Sequence, residues 1–124
     1  MRIIIVDDIF TNRLLISEII KSLGHTIIEA ENGKQAIEFL LNNTPVDMVI
    51  MDIEMPVMNG IEATRYIRES MPSPINKIPV IALTAHNPKI FFNDYQDVGF
   101  DQLLTKPYSI EKIVKLINEF NKDL

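Results

Sequence analysis

Three aspartates, a threonine and a lysine each stand where a short apolar segment of the chain ends. Asp7 and Asp8 follow the first of these segments, and Asp52 ends the third. Thr84 ends the fourth, and Lys106 follows the fifth. Clustered carboxylates repel one another, so such a cluster is costly unless a cation neutralises it. The chain has no cysteine, and oxygen ligands suit a hard divalent cation such as Mg²⁺. These residue types therefore predict a magnesium site.

The same five residues suit the transfer of a phosphoryl group. Mg²⁺ is usually held by one or two carboxylates and keeps positions for water and a phosphoryl oxygen. Lys106 offers a positive charge and Thr84 a hydrogen-bond donor, and both stabilise a phosphoryl group during transfer. A carboxylate can itself be the nucleophile, which gives an acyl phosphate. Taken singly, each residue has an ordinary structural explanation, such as helix capping by Asp7 and Asp8. Their joint placement at the segment ends favours a shared role in phosphoryl transfer over these structural explanations.

Two kinds of segment alternate along the chain and must position these side chains. The first kind is short, apolar and rich in β-branched residues, which is typical of buried strands. It covers 2–7, 25–30, 46–52, 78–84 and 102–105. The second kind is longer and amphipathic, which is typical of helices. It covers 10–23, 33–42, 59–70, 88–98 and 109–121. This alternation predicts an α/β fold with a parallel sheet. Ligands bind at the carboxyl edge of such a sheet, so we expect the site residues to meet there.

Length and charge restrict the classes of function. The 124 residues predict one domain over 1–124, because domains are commonly about 100–150 residues long. The net charge of −5 argues against binding to nucleic acid or to an anionic membrane, since both favour a basic face. No apolar run approaches the roughly 20 residues of a membrane span, and the apolar run near the N-terminus is too short for a signal peptide. We therefore expect a cytoplasmic protein with no nucleic-acid or membrane partner.

Four motifs at these segment ends resemble those of the receiver domains of two-component response regulators. The motifs are the Asp7-Asp8 pair, the stretch MDIEMPVMNG over 51–60, Leu83-Thr84-Ala85, and Lys106-Pro107. The resemblance covers essentially the whole chain and is strongest to the receivers of hybrid sensor kinases and to single-domain regulators. It implies a flavodoxin-like (βα)5 fold, in which a doubly wound sheet has five parallel strands in the order 2-1-3-4-5.

The resemblance also implies a role for each acidic residue. Asp52 is similar to the phosphoacceptor, which takes a phosphoryl group from a phosphohistidine. Asp8 and Asp52 would bind Mg²⁺ directly, and Asp7 would assist. The backbone carbonyl of Glu54 would complete the protein ligands. The expected cofactor is therefore Mg²⁺, and the expected phosphoryl donor is a sensor histidine kinase or a histidine phosphotransfer protein.

The remaining motif residues would respond to the phosphoryl group. By the same resemblance, Thr84 would bond a phosphoryl oxygen and Lys106 would pair with the group. The bond before Pro107 is expected to be cis. The family often has an aromatic switch residue three positions before the lysine, where this chain has Leu103, so the aromatic half of the switch is missing. His86 is expected to lie near the mouth of the site.

The first helix is expected to have one buried face and one docking face. Its 3.6-residue periodicity predicts burial of Leu15, Ile16, Ile19, Ile20 and Leu23. Phe10 and Leu14 fall on the opposite side, next to the acidic residues. Exposed apolar residues are common on proteins. The resemblance nevertheless favours a docking surface for kinase or phosphotransfer helices, and we assign Phe10, Leu14 and Pro107 to it.

Three functions remain open from the sequence. The first is a signalling receiver that is controlled by phosphorylation, has no output domain of its own and acts on a downstream protein. Such a chain is not an ordinary enzyme, because it catalyses only its own phosphorylation and dephosphorylation. The second is an interaction module of the same fold that does not depend on phosphorylation. The third, a metal-dependent phosphohydrolase, is disfavoured because the pattern Asp-x-Asp-x-Thr/Val is absent after the first strand. The Gly-x-x-x-x-Gly-Lys-Ser/Thr pattern of P-loop NTPases is absent too.

Overall fold

The computed structural model describes residues 1–42, 45–85 and 87–121, and its strands and helices alternate in the predicted order. The strands are β1 (Arg2–Val6), β2 (Thr26–Ala30), β3 (Met48–Asp52), β4 (Val80–Thr84) and β5 (Gln102–Thr105). The helices are α1 (Phe10–Ser22), α2 (Gly33–Leu41), α3 (Gly60–Ser70), α4 (Pro88–Tyr95) and α5 (Ile110–Asn121). Most elements are slightly shorter than predicted, and α4 ends at 95 rather than 98. Within the described residues, no helix is both long and apolar enough to cross a membrane.

The strands form one parallel sheet in the order β2-β1-β3-β4-β5. The predicted fold class, a flavodoxin-like doubly wound sheet, is confirmed. The chain winds from β1 outward to β2 and then returns to the other side of β1, so the direction of winding reverses between β1 and β3. Open α/β sheets bind ligands in the crevice at such a reversal, beyond the carboxyl ends of the strands.

Both faces of the sheet are covered, which explains why the strands are continuously apolar. In β1, Ile3 and Ile5 pack in the same cluster as residues of α1 and α5. Ile4 and Val6 point the other way and pack with residues of α2 and α3. Phe91 is buried and anchors α4 in a third, smaller cluster. The polar groups of the site therefore stand at the rim of an otherwise apolar sheet.

Polar side chains cap α2, α3, α4 and α5 at their first turns, whereas α1 begins after Ile9 without a side-chain cap. At the start of α3, the Asn59 side chain accepts a hydrogen bond from the backbone N–H of Glu62, and the Glu62 side chain accepts one from the backbone N–H of Asn59. This reciprocal capping box fixes the point at which the loop after β3 turns into the helix. Side-chain caps are also formed by Asn32, Asn87 and Ser109.

The buried face of α1 differs from the prediction. Leu15, predicted to be buried, is 51% exposed, so that prediction is wrong. Arg13 and Ser17 are buried instead, next to Ile16 and Ile20. Apolar residues occupy several sides of this helix, and their periodicity alone does not show which side meets the sheet.

Helix α3 begins in direct contact with the backbone of β3. The backbone N–H of Gly60 donates to the carbonyl oxygen of Ile53 at 3.0 Å. A Cβ atom at position 60 would overlap the carbonyl oxygen of Asp52. The absence of a side chain at Gly60 therefore sets the distance between α3 and the end of β3, where Asp52 stands.

Replacement of Gly60 with alanine is expected to destabilise the protein. A compatible glycine-to-alanine change stabilises a protein by about 0.4–1 kcal/mol. At Gly60 the added methyl group must displace α3 or the end of β3, and overpacking of this kind costs roughly 1–3 kcal/mol. Urea unfolding of Gly60→Ala, followed by circular dichroism, measures the change. A variant as stable as the wild type would contradict the close packing described above.

Candidate functional site

The ends of four strands bring the predicted site residues together. Asp7 and Asp8 follow β1, Asp52 is the last residue of β3, Thr84 ends β4 and Lys106 follows β5. Asp7, Asp8 and Asp52 can each offer a carboxylate oxygen within 4.8 Å of the other two. Residues that are far apart in the sequence thus share one edge of the sheet.

A cleft of about 210 Å³ opens at this edge. Its walls are formed by Asp8, Ile9, Asp52, Ile53, Glu54, Leu83, Thr84, Ala85 and Lys106. The cleft is smaller than the roughly 300–1,000 Å³ of pockets for drug-sized ligands. It suits a small ligand, such as a hydrated ion or a phosphoryl group.

The protein holds Asp7 in one orientation. Its backbone N–H donates to the carbonyl oxygen of Ala30 at 3.1 Å, and its Oδ1 accepts from the backbone N–H of Ile9 at 2.9 Å. Its Oδ2 is buried and has no hydrogen-bond partner among the described residues. A buried carboxylate oxygen without a partner is costly. With all-oxygen donors and this unpartnered oxygen among them, the residues present fit a hard divalent cation.

Burial and nearby negative charge oppose ionisation of Asp7 and Asp52. Burial, followed by the charge of Asp7, raises the pKa of Asp52 to about 6, although the charge of Lys106 lowers it. Burial likewise raises the pKa of Asp7. The Nζ atom of Lys106 lies 3.6 Å from Oδ1 of Asp52. One ammonium opposite three acidic side chains leaves net negative charge, which favours the binding of a cation.

The end of β5 directs Lys106 toward the cluster. The backbone N–H of Lys106 donates to the carbonyl oxygen of Thr84 at 2.8 Å, and the bond from Lys106 to Pro107 is cis, as expected. Thr84 is buried, and Leu103 is half-buried in the hydrophobic cluster around α4. His86 lies outside the described residues.

Apolar side chains next to the site are exposed on two sides of α1. Phe10 is 59% exposed and Leu14 44%, and two residues four positions apart share one side of a helix. Leu15 is also exposed and lies about 100° further round. Pro107, which directly follows Lys106, is exposed as well.

A buried arginine next to the site was not predicted from the motifs. Arg13 is 8% exposed, and its Nη1 donates to the carbonyl oxygen of Asp7 at 2.6 Å. The apolar periodicity of α1 puts position 13 outside the predicted buried face. On that pattern alone, the Arg13 side chain would be expected to lie in solvent. Two sequence signals point to Arg13: its place in the first turn after the Asp7-Asp8 pair, and the Asn12-Arg13 pair, which resembles a pair common in the receivers of hybrid sensor kinases and in single-domain regulators.

The chain is similar in sequence to receiver domains. A family model for the response regulator receiver domain matches residues 3–118. The chain is 34% identical over 121 residues to hybrid signal transduction histidine kinase I of Dictyostelium discoideum, and the alignment covers 94% of this chain. It is 28% identical over 121 residues to the polar-differentiation response regulator DivK of Brucella anthropi, with 98% of this chain and 96% of that protein covered.

The chain spans only a small part of the first relatives that it matches. It covers 7% of the Dictyostelium kinase, and it covers 15% and 5% of two other histidine kinases.

A solved structure agrees with both the fold and the acidic cleft. The receiver domain of the sensor histidine kinase PA1611 from Pseudomonas aeruginosa PAO1 matches with a TM-score of 0.83 and 27% identity, over 96% of this chain and 95% of that one. That structure is described with a magnesium ion coordinated in its active-site cleft. The family match over nearly the whole chain, on this sheet and with these motifs, shows that the chain belongs to the response regulator receiver domain family of two-component systems.

Proposed function

We propose that this chain is a receiver controlled by phosphorylation, in which Asp52 accepts a phosphoryl group from a histidine kinase or a histidine phosphotransfer protein. The observation that carries the proposal is the position of the Asp52 carboxylate. It shares a cluster with the oxygens of Asp7 and Asp8, and the Lys106 ammonium lies 3.6 Å away. The chain acts on its own acceptor in the cytoplasm, not on a separate substrate, and signals through contact with a downstream protein.

The cation in this proposal is Mg²⁺. Asp8 and Asp52 would hold it directly, together with the backbone carbonyl of Glu54, and Asp7 would assist. The all-oxygen donor set and the unpartnered Oδ2 of Asp7 support this assignment. When bound, the ion supplies positive charge that offsets the repulsion between the carboxylates and the phosphoryl oxygens.

The side chains of the protein perform the transfer itself. One oxygen of Asp52 attacks the phosphorus atom, a P–O bond forms while the P–N bond to the donor imidazole breaks, and the leaving ring nitrogen keeps the electron pair. Lys106 pairs with a phosphoryl oxygen and Thr84 donates a hydrogen bond to another, which stabilises the developing charge. Asp52 must be ionised to attack, and with a pKa of about 6 it is mostly ionised at neutral pH. In-line attack then depends mainly on positioning.

Mass spectrometry after treatment with acetyl phosphate tests the chemistry. We expect one phosphoryl adduct in the presence of Mg²⁺, and none in EDTA or in Asp52→Asn. Asp8→Asn is expected to reduce labelling at least tenfold because it removes a metal ligand, whereas Lys106→Ala keeps metal binding and slows labelling. The exposed Asp97, which pairs with Arg65 on the surface, provides the matched control Asp97→Asn, expected to label like the wild type.

Two outcomes of this experiment would reject the proposal. An adduct that persists in Asp52→Asn would show that another residue is the acceptor. An adduct that forms equally well in EDTA would remove the role of the cation. If neither acetyl phosphate nor any histidine kinase labels the chain, the alternative of an interaction module independent of phosphorylation is favoured.

The docking surface is tested by comparing two donors. Phe10→Ala and Leu14→Ala are expected to slow transfer from the kinase several-fold, because helices of the partner would contact these side chains. Labelling by acetyl phosphate should not change, since this small donor needs no protein contact. Leu41→Ala removes an equally exposed leucine (52%) at the C-terminal end of α2 and is the control. Equal slowing with both donors would mean that the two residues serve the fold alone.

The raised pKa of Asp52 predicts how stability depends on pH in buffer with EDTA. The folded-state pKa of about 6 lies above the ordinary value of 3.8, so between these pH values the folded protein binds more protons than the unfolded chain. The free energy of unfolding therefore falls as the pH rises through this window. Asp52→Asn avoids that loss and is expected to be more stable than the wild type at pH 7.5, by up to about 3 kcal/mol.

Urea unfolding at pH 4.5 and pH 7.5 measures this difference. The stability gained by Asp52→Asn should shrink at the lower pH, where the wild-type carboxyl is mostly protonated. A gain that is equal at both pH values would show that ionisation of Asp52 is not its cause.

A further inference from the structure

Arg13 is a buried charged residue next to the acidic cluster, and it takes no part in the transfer described above. It lies in the first turn of α1 and is 8% exposed. Arginine is almost never fully buried unless it is paired. A buried guanidinium is stable only when good hydrogen bonds replace its contacts with water. The partners of Arg13 therefore indicate what the residue does.

The shortest contact of the guanidinium is with the main chain of Asp7. Nη1 donates to the carbonyl oxygen of Asp7 at 2.6 Å, which is a short, charge-assisted hydrogen bond. Nε lies 3.3 Å from Oε1 of Glu29 on β2, so this carboxylate balances the charge. The Phe10 ring packs over the guanidinium, with its centroid 5.7 Å from Cζ. Of these three contacts, the bond to the Asp7 carbonyl is the shortest and the one that joins Arg13 to the acidic cluster.

The bond from Arg13 completes the set of contacts that orient Asp7. β1 ends at Val6, one residue earlier. The N–H of Asp7 bonds to Ala30, its carbonyl oxygen to Arg13, and its Oδ1 to the N–H of Ile9. Among its polar atoms only Oδ2 has no partner in the described part of the chain, and that atom is buried. The main chain is therefore fixed on both sides of the Asp7 side chain, and the position of Asp8, which follows directly, is fixed with it.

We propose that Arg13 is a positioning residue for the metal site. Its bond to the Asp7 carbonyl holds the turn between β1 and α1 so that Asp7 and Asp8 present their oxygens to the cation. The inference rests on the proposed function, because it concerns the Mg²⁺ that the transfer requires. Groups that orient metal ligands typically contribute about 10–100-fold to metal affinity.

Calorimetric titration with Mg²⁺ in the absence of any phosphoryl donor tests the proposal. Arg13→Met removes the guanidinium with little change in volume and is expected to raise the dissociation constant for Mg²⁺ at least tenfold. Arg13→Lys keeps the charge but lacks the planar fork, and an intermediate value is expected. Arg65→Met is the matched control: it removes a surface arginine that pairs with Asp97 and makes no contact with Asp7, so its dissociation constant should stay within twofold of the wild type.

Urea unfolding with and without saturating Mg²⁺ separates positioning from a purely structural role. Mg²⁺ stabilises the folded state in proportion to its affinity, and in Arg13→Met this stabilisation should shrink. If Arg13→Met loses equal stability in both conditions and binds Mg²⁺ like the wild type, the proposal is overturned. Should Arg13→Met not fold, wild-type Mg²⁺ affinity in Arg13→Lys overturns it instead. If the wild-type protein itself binds no Mg²⁺, the proposed function is rejected together with the role of Arg13. If the wild type binds Mg²⁺ and Arg13→Met binds it equally well, only the role of Arg13 is rejected.

Discussion

Three carboxylates held within 4.8 Å of one another are the constraint on which the rest of this site depends. Asp7 and Asp52 are buried as well as close together, and burial raises the pKa of both. The metal-free protein is therefore less stable than it would be with neutral side chains at these positions. The apolar packing on both faces of the sheet offsets this cost. In return the acidic cluster is preformed for the cation that we propose beside the phosphoacceptor.

The topology of the sheet produces this crowding. Neighbouring parallel strands lie about 4.8 Å apart, so residues that end adjacent strands are within reach of a shared ion. The reversal between β1 and β3 sets the Asp7-Asp8 pair beside Asp52, and β4 and β5 add Thr84 and Lys106 on the other side. Each strand end is then fixed by the element that follows it, as α3 fixes Asp52 through its close approach at Gly60.

The parallel α/β architecture and the acidic cluster were predictable from patterns along the chain combined with one rule about sheet edges, whereas the strand order followed from the family resemblance of the motifs. What the sequence did not reveal depends on side-chain orientation and on the backbone conformation of a loop. Leu15 and Arg13 have exchanged their expected environments, since helix α1 has apolar residues on several sides. Val57 adopts a φ of 70° in the loop after β3, a conformation that β-branched residues rarely adopt, so its sequence carries no signal for it.

The central claim of this account is that one cation relieves the repulsion among Asp7, Asp8 and Asp52. Proton release on binding of Mg²⁺ tests it most directly, because a cation displaces the proton from a carboxylate that it coordinates. Calorimetry in two buffers of different ionisation enthalpy counts the protons. With a pKa of about 6 for Asp52, we expect this carboxyl to release roughly half a proton per Mg²⁺ at pH 6, and much less at pH 8, where it is already ionised. Mg²⁺ binding at pH 6 without proton release would contradict the account.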